Sequence, residues 1–120
     1  MRRILKIASG LIFGLIVVMS LCVLALYIDI RLGYKADVKA CPNVKPSEAI
    51  AAVIRDVIRP TNQVFAKYHL SANDVSVNLN EVQIGPSAIL VPFRISKAPQ
   101  REFFGMPRCS VLSNIEYASD

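Results

Sequence analysis

Val75–Ile95 reads VSVNLNEVQIGPSAILVPFRI, and its period of two decides the fold. Val75, Val77 and Leu79 alternate with Ser76, Asn78 and Asn80, the pattern of a half-buried strand. Val82 and Ile84 resume on the opposite parity. An odd shift carries every following side chain to the other face, so the sequence predicts a bulge or break near Asn80-Glu81. Gly85-Pro86-Ser87 is a turn. Ile89, Val91, Phe93 and Ile95 then form a second alternating set. Pro92 within it cannot donate to a ladder, which calls for a free edge or a bulge at that point.

Upstream the period changes to that of a helix. Ile50, Val53, Ile54, Val57 and Ile58 make one apolar stripe, with Glu48, Arg55, Asp56 and Arg59 off it. Ser47 is a good N-cap, and Glu48 suits the positive end of the helix dipole. Pro60 breaks or kinks the run. The helical period nevertheless continues through Thr61, Val64, Phe65 and Tyr68. One kinked helix to about His69 or two consecutive helices both fit, with Ser71–Asp74 as the stop. Downstream, residues 97–108 (KAPQREFFGMPR) hold two prolines and a glycine and read as a long loop. Cys109, Val111, Ile115 and Tyr117 suggest a final strand. Residues 47–120 are thus expected to form an α+β domain, with one kinked helix or two packed on a three-stranded antiparallel sheet.

Ahead of this domain lies Ile7–Ile28, a run of 22 residues with no charge. At about 1.5 Å per residue it would make a helix of about 33 Å, enough to cross a hydrocarbon core of about 30 Å. Arg2, Arg3 and Lys6 precede it; Asp29, Arg31 and Lys35 follow. That asymmetry places the N-terminus in the cytoplasm and the C-terminal domain outside. A cleaved signal peptide would have a shorter apolar stretch and a small-x-small end. Leu24-Ala25-Leu26-Tyr27-Ile28 offers no such pair, so the segment reads as an uncleaved signal-anchor. The expected organisation is a basic cytoplasmic tail (1–6), a transmembrane helix (7–28), a linker (29–46) and an extracytoplasmic domain (47–120). The location is the cell membrane, the inner one if the cell is Gram-negative, and the lipid bilayer is the first partner.

Formal net charge is +5. Setting aside Arg2, Arg3 and Lys6 leaves eleven basic against nine acidic residues, so the basic balance is largely a topology signal. No cluster beyond residue 6 suggests a phosphate-tracking face, and no nucleic-acid partner is expected. Of the three cysteines, Cys22 lies in the apolar run and behaves as a small hydrophobe. Cys41 and Cys109 fall on the oxidising side, where a small domain gains from a staple. Their disulfide would close a loop of about 70 residues, worth about 4 kcal/mol as an upper figure from chain entropy.

Chemistry-bearing motifs are sparse. His69 has no nucleophile or carboxylate placed beside it by the sequence. There is no GxSxG, phosphate loop, HExxH or CxxC. No catalytic, metal or cofactor site is expected, and the chain does not read as an enzyme. Gly10 and Gly14 form a GxxxG pair that would let two membrane helices approach and dimerise. Arg101, Phe103, Phe104, Met106 and Arg108 combine residue types typical of protein-recognition surfaces. The same two phenylalanines could instead complete a small core, and both readings fit. The chain is expected to be a single-pass membrane-anchored envelope protein whose outer domain binds another protein or serves as an accessory subunit. The alternative is a periplasmic inhibitor or immunity protein that blocks a toxin enzyme.

Overall fold

A computed structural model describes the backbone of residues 1–120 and every side chain except those of Arg2 and Leu5. The chain divides into two compact units, Met1–Tyr34 and Lys35–Asp120. The first unit is helical and belongs to α1 (Arg2–Ala40). Every side chain from Ile7 to Ile28 is exposed. A helix that is apolar all round belongs either in a larger protein core or across a membrane. By length and composition it can cross a membrane. The stretch expected as a linker is helical as far as Ala40, followed by a 3-10 turn over Cys41–Asn43.

The second unit is an antiparallel sheet with a short helix, α2 (Pro46–Val57), on one face. Its strands are β1 (Val75–Val77), β2 (Gln83–Ile84), β3 (Ile89–Ile95), β4 (Phe103–Pro107) and β5 (Ile115–Ser119). The spatial order is β1-β3-β4-β5, with β2 also on β3. The sheet therefore has five strands, not the three expected. Two local causes account for the difference.

The first is Pro92. β1 pairs with β3 through Val75↔Ile95, Ser76↔Arg94 and Val77↔Phe93. The amide of Ser96 donates to Asp74 O at 2.9 Å, so even-numbered residues of β3 serve this edge. The next pair would need an N–H on Pro92, which has none. The ladder stops there, a 3-10 turn over Leu79–Glu81 intervenes, and pairing resumes as Gln83↔Leu90 and Ile84↔Ile89. The register slips by an odd number, which is the parity flip seen in the sequence. Gly85 N donating to Ala88 O at 2.8 Å closes the hairpin.

The second is the segment 97–108, expected as a loop. Its latter part is β4, the strand that joins β3 to β5. Gly105 and Pro107 disguise it in sequence. Pro107 sits at the strand's end. Gly105 sits under Val53, where a Cβ would stand 3.0 Å from Val53 Cγ2. The missing side chain lets α2 approach the sheet.

α2 begins one residue before the expected cap. Pro46 takes the first helical position, and the Lys45 amide donates to Glu48 Oε2 at 3.0 Å. The helix ends at Val57 rather than continuing to about His69. Pro60 cannot supply the amide that Asp56 O would accept, and the Asn62 Nδ2 donates to that oxygen instead, at 3.1 Å. Buried Asn62 then accepts from the amides of Val64 (2.9 Å) and Phe65 (3.1 Å), which turns the chain back over the sheet. Phe65 lands among Phe93, Phe103 and Tyr117, with ring centroids 5.0 to 5.7 Å apart for the pairs Phe65–Tyr117, Phe65–Phe103, Phe65–Phe93 and Phe93–Phe103. Ala49, Val53 and Val57 are the buried line of α2, and Ile50, Ile54 and Ile58 pack beside it. The final strand begins at Ile115; Cys109 and Val111 lie in the turn before it.

Candidate functional site

The alternation of β4 separates the residues that the sequence groups together. Phe103 points to the α2 side and is 5% exposed. It is core, stacked on Phe93. Phe104 and Met106 lie on the far face of the sheet and are half-buried. There Phe104 pairs with Pro92 and Ala118, and Met106 with Glu116. Arg101 stays exposed, its guanidinium 5.8 Å from the Phe103 ring. Arg108 is drawn off to Asp37.

The far face is thus an apolar strip of Leu90, Pro92, Phe104 and Met106 with charged neighbours. Arg94 and Glu102 form a loose pair at 3.8 Å. A hollow of about 530 Å³ opens beside Met106, between Leu90, Arg108, Glu116 and the Gly85–Ala88 hairpin. A smaller one of about 280 Å³ lies over Pro92, rimmed by Ser76, Asn78, Arg94 and Glu102. Both open to solvent, the first lined mainly by apolar groups and the second mainly by polar side chains.

Asp37 organises the opposite end of β4. It is 7% exposed and lies one helical turn before Cys41. Arg108 donates to it from Nε (3.0 Å) and Nη2 (2.9 Å), and Ser110 donates from its amide (3.0 Å) and its hydroxyl. Burial pushes the Asp37 carboxyl upward, but the Ser110 and Arg108 hydrogen bonds outweigh that and hold it below the ordinary value. Between these two partners, Cys109 is bonded to Cys41, with Cα atoms 4.9 Å apart. Disulfide and ion pair together tie the end of α1 to the turn after β4.

Two further carboxylates are structural. Asp56 accepts from Tyr117 Oη at 2.6 Å and from Asn62 Nδ2 at 2.9 Å, and pairs with Arg59. Burial, then the Asp56 hydrogen bond and charge, push the Tyr117 phenol upward. Asp74 accepts from Ser96 Oγ (2.6 Å) and from Ser71 N and Oγ (both 2.9 Å), which lowers it to about 2. The sequence names Asp74 only within a stop and Tyr117 only within a strand, and singles out neither Asp37 nor Asn62; their hydrogen-bond partners lie 2 to 73 residues away.

His69 is exposed and caps the 3-10 turn Ala66–Tyr68 with a left-handed backbone, φ 49°. Among the described residues no group of three or more His, Cys, Asp or Glu could hold a metal. In the first unit, Gly10 and Gly14 have open space where a Cβ would stand. Arg31 Nε donates to Tyr27 Oη at 2.8 Å, and Cys22 is a free, exposed thiol. No protein-family model, no curated protein and no solved structure matches this chain.

Proposed function

We propose that this chain is a single-pass membrane-anchored envelope protein, N-terminus in the cytoplasm, whose extracytoplasmic domain acts by binding another protein. The anchor reading is supported by the uncovered apolar helix behind Arg3 and Lys6. The outer location is supported by the Cys41–Cys109 bond, which persists in oxidising compartments. The observation that carries the binding reading is the far-face strip. Once Phe103 enters the core, Phe104 and Met106 remain as half-buried anchors flanked by Arg94, Glu102 and Glu116. Apolar anchors inside a polar rim contribute most when a partner desolvates them.

The test is photo-cross-linking from the full-length chain in its membrane. A photoreactive residue in place of Phe104 or Met106 should give one discrete adduct, and the same residue in place of exposed Lys97 should give none. An adduct pattern identical at all three positions, or no adduct at any, would contradict the reading. A partner that is an enzyme silenced by the domain would select the inhibitor version of it.

A further inference from the structure

The two edges of the sheet are built differently. On the β1/β2 side, Pro92 removes a donor and Leu79–Glu81 interrupts the pairing, devices that blunt an edge. β5 forms the other edge. It is five continuous residues, without proline or bulge, and pairs with β4 alone.

The register fixes which backbone groups β5 leaves over. Arg108 N donates to Asn114 O at 3.0 Å and Asp120 N to Glu102 O at 3.3 Å. Even-numbered residues of β5 therefore turn their N–H and C=O toward β4. Ile115, Tyr117 and Ser119 turn theirs outward, away from β4. Beside this edge a groove of about 450 Å³ runs along α2, bounded by Leu112 and Ser113. Ala51 and Ala52 line it between Glu48 on one side and Arg55 on the other, with the ion-paired Asp56 and Arg59 beyond Arg55. Both charges are exposed, and neither is in an ion pair among the described residues.

We propose that this edge docks a second copy of the same chain, β5 against β5, antiparallel about a two-fold axis at Tyr117. The backbone match would serve any antiparallel strand, whereas two charge arrangements favour a copy. With Tyr117 opposite Tyr117, Ile115 meets Ser119, so the spare hydrogen-bonding groups of both copies match. Glu116 then faces Ala118 of the second copy rather than its own like charge. The same axis reverses the direction of α2, so Glu48 of one copy approaches Arg55 of the other across the small alanines, a self-complementary arrangement. Five-residue pairing is small beside the roughly 1,200 Å² of a stable soluble interface. The proposal therefore rests on the anchor reading, because confinement of both chains to one membrane raises their effective concentration.

The test uses full-length chains carrying Cys22→Ser, in the membrane, with Glu116→Cys in one tagged copy and Ala118→Cys in a second. The proposed register makes these a non-hydrogen-bonded pair with Cα atoms about 4.5 Å apart, within disulfide reach. A disulfide between the two tagged copies is expected, and none when Ser76→Cys on the opposite edge replaces either. Arg55→Glu should lower the yield about fivefold, and Glu48→Arg in the same chain should restore it. The proposal is overturned by a yield no higher than the Ser76→Cys control, by Glu116→Cys bonding to itself as readily, or by indifference to Arg55→Glu. It is equally overturned if Glu116→Cys links only to a different protein, which would assign the edge to a foreign strand. The membrane-bound fraction, measured on the same samples, reports failure of the anchor reading separately.

Discussion

Gly105 shows how one residue sets a contact between elements. A Cβ there would meet both Val53 methyls, at 3.0 and 3.2 Å. Gly105→Ala is expected to cost about 1–3 kcal/mol by overpacking, read by chemical denaturation, and Val53→Ala in the same chain should recover part of it. A fully additive pair of losses would mean that the two positions do not press on one another. Asp74 sets an acid limit. Its folded carboxyl lies at about 2, below the unfolded value of about 3.9. The stability it contributes is therefore complete above about pH 4 and is lost as pH falls toward 2. Asp37, also lowered, adds to the loss in the same direction. Melting temperature followed from pH 7 to 2 should fall below about pH 4, and less steeply in Asp74→Asn. An equal slope in that variant would assign the acid transition to other carboxylates. The sequence could not divide Phe103 from Phe104, because that choice depends on which parity of β4 faces α2, and Gly105 interrupts the alternation that would have told.

At the scale of elements, α2 and β3 were legible because each keeps one period over its buried positions. Ile89, Val91, Phe93 and Ile95 are all buried. The odd slip between β1 and β2 was legible too, as a change of parity; its cause, the missing donor of Pro92, becomes clear only once β1 is seen to lie against β3. β4 was not legible, since its glycine and proline are the residues by which loops are recognised. The helical period beyond Pro60 misled for another reason. Val64, Phe65 and Tyr68 are spaced as on a helix, yet Asn62 turns the chain and delivers Phe65 to the aromatic cluster from a loop. Asn62 thus holds an element that has no ladder of its own. Asn62→Ala leaves the amides of Val64 and Phe65 without their present acceptor, while the carbonyl of Asp56 keeps only the Arg59 amide. A loss of about 1–3 kcal/mol is expected, with faster amide exchange at Val64 and Phe65. Unchanged exchange there would show that the turn stands without this side chain.

At the scale of the whole molecule, the chain comprises a long apolar helix and a stapled α+β domain. The long apolar helix was the most legible feature, because 22 uncharged residues in a row make a helix long enough to cross a membrane. The Cys41–Cys109 pairing followed from redox compartment and domain size, and the bond is present. The companion ion pair of Asp37 with Arg108 was not legible, since 71 residues separate its members. The proposed binding surface was legible only as a composition. Its division, with Phe104 and Met106 on the far face and Phe103 in the core, needed the strand register. Everything proposed about partners depends on the domain standing outside the cell membrane while the helix remains attached. Alkaline phosphatase, active only outside the cytoplasm, fused after Asp120 in a bacterial host, tests that most directly. The expected result is an active fusion that sediments with membranes. An inactive fusion, or an active one in the soluble fraction with a mature N-terminus beyond residue 28, would contradict it.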